Sequence, residues 1–276
     1  MPRKRNDIDP EILKPISNAR QVKLGDADAA RPADLPQGKE LKRAAKEQSK
    51  RLKKLQSKLY ADGRYGILVV LQGRDASGKD GTVRRVFRSV NPMGCEVTSF
   101  KAPTEEELQH DFLWRIEKRV PRRRMIGIFN RSHYEDVIVP RVKKTMPEDV
   151  WSARYDQINQ FERTLTDNSV VILKFFLHIS RAEQKQRLND RLTDRKKNWK
   201  FRLGDLDDRK LWDEYTAAYR DAIVKCSTDW APWYLVPADD EAARDVLIAR
   251  KIADTLAGLD LQYPPLDPQL KGIRIK

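Results

Sequence analysis

The chain has 276 residues, 35% of them charged, with 55 Lys and Arg against 41 Asp and Glu, a net charge of +14 and an isoelectric point near 9.7. That length buries a full core, in one large domain with appendages, and the basic excess favours a polyanionic partner (nucleic acid, an anionic membrane surface or a phosphate polymer) unless it only solvates the surface. Two cysteines, Cys95 and Cys226, exclude a disulfide framework, no apolar run is long enough to span a bilayer, and the start MPRKRNDIDPEILKP lacks an apolar signal core, so a cytoplasmic protein with no membrane partner is expected.

The first forty residues are polar and Pro-spotted without a sustained period, and are expected to form an irregular arm on the surface. A helix follows over 40–60. Leu41, Ala45, Gln48, Leu52, Leu55 and Leu59 recur at alternating spacings of four and three and form one narrow apolar stripe. The other faces are rich in lysine. The stripe is suited to packing on the domain or on another subunit. Residues 1–62 are therefore expected as arm and amphipathic helix ahead of a domain over 63–276.

Strand-like runs then alternate with helical ones. The strands are ILVVL (67–71), CEVTSF (95–100), MIGIF (125–129), VVILKFFL (170–177) and WYLV (233–236), several almost continuously apolar, as strands buried on both faces should be. PTEEELQHDFLWRIEKRV opens with a capping box at Thr104 and Glu107. PEDVWSARYDQINQFERTL starts at Pro147, and SRAEQKQRLNDRL carries a second capping box at Ser180 and Glu183. DDRKLWDEYTAAYRDAIV and DEAARDVLIARKIADTLAG supply two more helices, and the tail LQYPPLDPQLKGIRIK is extended. This alternation implies an α/β fold of three layers around a five-stranded parallel sheet.

The first strand runs into Gly73-Arg74-Asp75-Ala76-Ser77-Gly78-Lys79, a match to G-x-x-x-x-G-K placed between a strand and a helix. Such glycines let backbone N–H groups turn inward, the helix N-terminus adds positive potential, and the lysine reaches phosphate oxygens. Asp80 stands where a metal-binding Ser or Thr is usual in ATP-driven enzymes with this loop. A bare carboxylate beside phosphate is repulsive, so Asp75 needs a bridging cation or a cationic neighbour. One reading has Asp75 hold Mg²⁺ against two phosphoryl groups. Asp80 either shares in that or only complements the helix dipole.

GRDASGKDG, VTSFKAPTEEELQHDFLWR, IGIFNRSHYEDVIVPRV and DRKKNWKFRLGDLDDRKLWDEYTAAYRDAI occur in this order. Together they resemble the second family of polyphosphate kinases, from about residue 41 to the C-terminus. The resemblance implies a P-loop kinase-like fold with a helical lid, here about 181–210, and an N-terminal helical extension. It implies phosphoryl transfer between inorganic polyphosphate and nucleotides with Mg²⁺ or Mn²⁺, and assembly as a homodimer or homotetramer. Asp75 and Lys79 match the family's loop acid and lysine, Arg131 the arginine after the third strand, and Arg191 the lid arginine. NRSHYE in place of DRSWYN is similar to class III, whose members accept nucleoside mono- and diphosphates. Asn130 replaces the commoner strand-end aspartate, which leaves a second metal ligand open, with Glu135 as ligand or nucleotide contact. Asn130, His133 and Glu135 are expected beside the nucleotide, His133 as a positioning hydrogen-bonder.

Arg187, Arg191 and Arg195 recur every four residues and share a helical face, with Lys196, Lys197, Lys200 and Arg202 beyond them and Leu188 and Leu192 on the adjacent face. Either they clamp phosphate, or they pair with Asp190, Asp194 and Asp205 on a solvated face. Arg84, Arg85, Arg88 and 122–124 offer further positive charge for a chain. His110 and His178 read as structural. The six tryptophans read mostly as core, with Trp199 able to stack on a base.

The function expected is transfer of the terminal phosphoryl group of polyphosphate to AMP and ADP, reversibly. Asp75, Lys79, Arg131 and Arg191 are the catalytic set. Gly73, Arg74, Ala76, Ser77, Gly78, Arg187, Arg195, Lys196 and Lys197 are expected on phosphate. AMP, ADP and ATP are the expected nucleotides, with guanine nucleotides left open. An ATP-dependent nucleotide kinase of the same fold and a nucleic-acid-binding ATPase or GTPase are the alternatives. Nucleic acid is disfavoured because no N-K-x-D signature or regular aromatic interleave accompanies the basic segments.

Overall fold

The computed structural model describes residues 13–17 and 22–275. The rest of the expected arm, 1–12 and 18–21, lies outside the described residues.

Strand β1 (Gly66–Gln72) is buried at all seven positions and forms the centre of a parallel sheet in the order β2-β3-β1-β4-β5, with β2 (Cys95–Ser99), β3 (Ile126–Asn130), β4 (Val170–His178) and β5 (Trp233–Pro237). Ile67 lies opposite Ile126 and Val171, and Leu71 opposite Asn130 and Phe175. Side chains alternate between faces. Ile67, Val69 and Leu71 share a core with helices α1 (Gly38–Asp62) and α10 (Glu241–Gly258). Leu68 and Val70 share the opposite core with α6 (Glu148–Asp167) and α9 (Trp212–Cys226). The three-layer expectation is met. Because β1 is central, its carboxyl end opens on the loop at Gly73 from the middle of the sheet, where sites of such folds lie.

Helix α1 ends at Gly63, whose φ of +79 suits glycine. It buries Leu41, Ala44, Gln48, Leu52, Gln56 and Leu59; Ala45 is exposed and Leu55 only half-buried. The stripe is a little rotated from the expected one and is covered by α10 of the same chain, which removes it as a subunit interface. The described arm is less superficial than expected. Leu13, Ile16, Val22, Leu24 and Leu35 are buried, and Pro15 bridges Tyr234 antiparallel at the β5 edge.

Four helical expectations change. The segment after Thr104 forms two single turns, α3 (Glu105–Leu108) and α4 (Trp114–Glu117), because Asp111 Oδ1 accepts from the Leu113 N–H and makes a turn between them. The Thr104–Glu107 capping box is present. A nine-residue helix α5 (Glu135–Lys143) follows β3, unannounced because Pro140 stands inside it. At Ser180 only half of the capping box forms, since Glu183 instead pairs with Arg187 at 2.8 Å. Helices α8 (Leu203–Lys210) and α9 are separated at Leu211 rather than continuous. The tail is without regular structure except for a turn at Pro268–Leu270. Among the described residues no helix is long and apolar enough to cross a membrane.

Candidate active site

The loop from β1 enters α2 (Lys79–Val86) through two positions that only glycine fills. A Cβ on Gly73 would meet the Leu177 carbonyl oxygen at 2.6 Å, and one on Gly78 (φ +95) would strike Arg244 Nη1 at 2.0 Å. Arg244 is wholly buried. It donates from Nη1 to the Ser77 carbonyl (2.9 Å) and from Nε to Asp245 (3.0 Å), and Asp245 also accepts from Thr82 of α2 (3.0 Å). The loop is thus braced from behind by α10. Ala76 sits at φ +65, so the loop holds a strained residue within that brace.

Lys79 is buried and donates to the Gly73 and Arg74 carbonyls at 2.6 and 3.1 Å, closing the loop upon itself. Burial, with Arg131 nearby, pushes its pKa down to about 8. Asp75 accepts from Arg131 Nη2 at 2.8 Å. Burial alone would raise the Asp75 carboxyl, but Lys79, Arg131 and Arg191 outweigh it and hold it below the ordinary value. An acid in an anion-binding loop therefore has the cationic neighbours it requires. Arg131 itself has φ +63 at the turn after β3, with its N–H on the Leu71 carbonyl (3.0 Å), and its pKa is raised, chiefly by Glu135 at 3.8 Å and by Asp75. Burial raises the Glu135 carboxyl despite Arg131 and Lys79.

Asp75, Arg131 and Glu135 face a cleft of about 650 Å³, the size of a small-ligand pocket. Gly73, Asp75, Arg131 and Glu135 line its floor. Phe100, Pro103, Phe112 and Met146 supply apolar wall, and Arg115, Asp136 and Lys143 polar wall. His110 is stacked on Trp114 at 3.8 Å, a structural contact as expected, and also lines this wall. Asn130 ties the cleft's edge to the loop helix. Its Nδ2 donates to Asp80 at 2.7 Å, and Lys200 reaches the other Asp80 oxygen at 3.5 Å. Asp80 is thus a bridge between the β3 end and the lid segment, beyond any dipole role.

Other expected site residues are placed differently. Arg74 turns away from the loop mouth. It stacks on Trp212 at 3.8 Å and donates to the Trp212 carbonyl and Thr216 of α9, so only its backbone belongs to the phosphate loop. His133 is 0% exposed, against Glu162 at 3.2 Å, in a buried cluster with Tyr134 and Lys174. It cannot touch a nucleotide in the cleft, and it anchors the 130–135 turn from behind. Arg187, on α7 (Arg181–Thr193), donates to the backbone carbonyls of Ala76, Ala238 and Asp239 at 3.0, 2.8 and 2.8 Å and is a brace, not a clamp. Helix α7 stops at Thr193, so Arg195 is beyond the shared face; it and Lys196 are exposed, and Lys197 pairs with Asp194 at 3.5 Å. Leu188 is buried but Leu192 is exposed. Arg191 is brought to the site: it lies in the electrostatic range of Asp75 and pairs with Asp205 at 3.1 Å, one of the acids named for it. Ser77 is fully buried, with its carbonyl on Arg244.

The residues that sequence reasoning missed act through this bracing. Gln184 of α7 donates to the Asp75 carbonyl at 3.1 Å, and Arg209 of α8 holds Gln184 at 2.8 Å. Trp212 receives three guanidiniums, from Arg74, Arg181 and Arg209 at 3.8, 5.5 and 5.9 Å, joining the loop to both ends of the lid segment. No motif announces such contacts.

Asp75 fits a divalent cation. It is ionised, faces the cleft, and has one oxygen on Arg131. Among the described residues no cluster of three or more His, Cys, Asp or Glu is arranged for a metal. Mg²⁺ is commonly held by one or two carboxylates with substrate phosphates completing the shell.

Residues 36–264 match the family described as Polyphosphate kinase 2. An AMP/ADP-polyphosphate phosphotransferase of Meiothermus ruber is 55% identical over 216 residues, 78% of this chain and 81% of that protein. An ADP-polyphosphate phosphotransferase of Rhodopseudomonas palustris is 42% identical, over 80% of this chain and 81% of that one. The crystal structure of polyphosphate kinase 2 from Arthrobacter aurescens TC1 superposes with a TM-score of 0.85 at 39% identity, covering 92% of this chain and 94% of that one. By these matches, and by a phosphate loop whose acid and lysine meet the strand-end arginine, the chain belongs to the polyphosphate kinase 2 family.

Proposed function

We propose that the protein transfers the terminal phosphoryl group of inorganic polyphosphate to AMP and to ADP, reversibly. The observation that carries this is the meeting of Asp75 and Arg131 on the wall of the cleft, with Lys79 buried in the loop within electrostatic range of both, in a chain whose relatives are named for that reaction. In the forward direction the bond from the terminal phosphorus to its bridging oxygen breaks, and a phosphate oxygen of the nucleotide forms the new one. The shortened polymer leaves with the electron pair. One phosphoanhydride replaces another, so the reverse reaction is open. No covalent enzyme intermediate is required, because such transfers need positioning and charge neutralisation rather than a protein nucleophile.

Lys79 exchanges its carbonyl partners for phosphate oxygens and regains full protonation when the anion arrives. Arg131, oriented by Asp75 and Glu135, presents its guanidinium at the cleft floor, and Arg191 approaches from the lid. Asp75 would hold Mg²⁺ or Mn²⁺, which supplies neutralisation of the phosphoryl oxygens. A homodimer or homotetramer remains our reading of the assembly. Its interface lies elsewhere than on the 41–59 stripe, which α10 covers.

The test is to incubate pure protein with polyphosphate, Mg²⁺ and AMP and to separate the nucleotides over time. ADP should appear first and ATP after it, with guanine nucleotides tried in parallel and chelator stopping the reaction. Turnover that requires ATP as donor and ignores polyphosphate would establish the ATP-dependent kinase instead.

A further inference from the structure

Helix α1 turns one side to α10, and another of its sides is almost all lysine. Lys39, Lys42, Lys46, Lys50, Lys53 and Lys54 are exposed, and among the described residues none of the six makes an ion pair. Lys42, Lys46, Lys50 and Lys54 follow one another at i, i+4. Like charges so placed weaken a helix, so the arrangement costs stability that an anion lying along it would return.

The row also has a definite address. Ser49 shares a helical face with Lys42, Lys46 and Lys53, at spacings of four, three and four. Its Oγ meets Ser89 Oγ at 2.5 Å, and Ser89 Oγ donates to the Ser49 carbonyl at 3.1 Å. Ser89 follows Arg88 just past the end of α2, the helix that begins at the loop lysine. Arg84 on α2 and Arg88 just past its end are exposed, while Arg85 turns in to Asp245 and Glu241. Positive charge therefore continues from the phosphate loop along α2, about 12 Å, and onto α1, about 37 Å long.

We propose that the lysine row of α1, entered past Arg84 and Arg88, binds the distal part of a long polyphosphate chain whose end lies at the loop. The proposal rests on polyphosphate being the donor. A short oligophosphate at the loop does not extend to α1, whereas a long polymer does. The row therefore lowers KM for long chains without acting on the chemical step, and it keeps a polymer in place as its end is consumed.

The test compares wild type with a variant carrying Lys42→Gln, Lys46→Gln, Lys50→Gln and Lys53→Gln, all at exposed positions, and with the corresponding four Lys→Arg changes. KM and kcat are measured with linear tetraphosphate and with long-chain polyphosphate. The Gln variant should raise KM for the long polymer about ten-fold or more, since each exposed contact contributes a fraction of its charge attraction. The slope of log affinity against log salt should fall by about 3, as for four phosphate contacts removed from a single-stranded polyanion. kcat and the tetraphosphate KM should not change, and the Arg variant should behave as wild type. Equal changes for both donors, or none for either, overturn the proposal. Binding of labelled long-chain polyphosphate, read by anisotropy, separates the two failures. Wild type that binds the polymer but never transfers from it overturns the donor reading alone. A Gln variant that binds it as tightly as wild type overturns the row. Single-stranded DNA of equal length is the control, and a loss confined to DNA would assign the row to nucleic acid instead.

Discussion

The base and the tip of the segment 181–210 differ in what holds them. At the base, the Ser180 hydroxyl caps the Glu183 N–H, Asp26 accepts from the Arg181 N–H, Gln184 holds the Asp75 carbonyl, and Arg187 holds three more carbonyls. At the tip, Arg195, Lys196, Lys197 and Leu203 are exposed, and Trp199 is 76% exposed with its indole N–H on the Lys196 carbonyl. Arg191 stands between the two, on Asp205. Residues of one sequence stripe thus divide into a frame bonded to the phosphate loop and a solvent-exposed group. The contacts to the phosphate loop are made by Gln184 and Arg187, at the base.

The largest effect should come where loop and substrate meet. Lys79→Ala removes the group proposed to neutralise the transferring phosphates, and alanine is at home at a helix start. We expect kcat to fall about 1000-fold or more, by analogy with loss of a preorganised donor, with an unchanged circular dichroism spectrum. Near-wild-type turnover in the folded variant would remove the loop from the mechanism.

Asp75→Asn should follow. Loss of the carboxylate charge lowers apparent Mg²⁺ affinity about 10- to 100-fold, and excess Mg²⁺ should recover part of the rate. A Mg²⁺ titration that coincides with wild type would show that Asp75 is no ligand.

The frame is tested by stability. Arg187→Ala leaves the carbonyls of Ala76, Ala238 and Asp239 without their donor. A loss of about 2–4 kcal/mol and a Tm lower by roughly 5–10 °C are expected. Arg195→Ala, at the tip, should stay within about 0.5 kcal/mol. Equal Tm values for the two variants would erase the distinction between base and tip.

The smallest effect is on pH dependence. Lys79 has its pKa lowered to about 8 in the free enzyme by burial and by Arg131. It therefore loses charge as pH rises through about 8, and kcat/KM for the donor should decline from there, while kcat at saturation persists because bound phosphate favours the protonated form. The same lowering gives the stability sign. Between about pH 8 and the ordinary lysine value the unfolded chain binds more protons, so Lys79's contribution to stability rises with pH in that window. In Lys79→Arg the kcat/KM decline near pH 8 should vanish.

Much of the fold could be read from the residues alone. Strand-like runs, several of them almost continuously apolar, placed all five strands to within one residue at each end, and the loop motif gave Asp75 and Lys79. What escaped was side-chain direction. Arg74 is a loop residue by motif, yet Trp212, far away in sequence, draws it off the loop mouth. Arg187 and Arg191 are equivalent by spacing, and only the packing of α7 on the loop separates the one that braces backbone carbonyls from the one that pairs with Asp205. His133 looked like a site residue from its neighbours Arg131 and Glu135, but the turn at 130–135 sends it to Glu162 behind the sheet. Pro140 hid α5, and Asp111 broke a helix that the apolar pattern made continuous.

The central claim is that the segment 181–210 acts through Arg191 on a fixed frame, and kcat for Arg191→Lys beside Arg195→Lys, at fixed ionic strength with saturating polyphosphate, tests it most directly. Lysine keeps the charge but loses the planar fork. The account predicts a fall of about 30- to 1000-fold for Arg191→Lys, equivalent to about 2–4 kcal/mol of transition-state stabilisation, and near-wild-type kcat for Arg195→Lys. Full kcat in both variants would make the arginines surface charge and contradict the account.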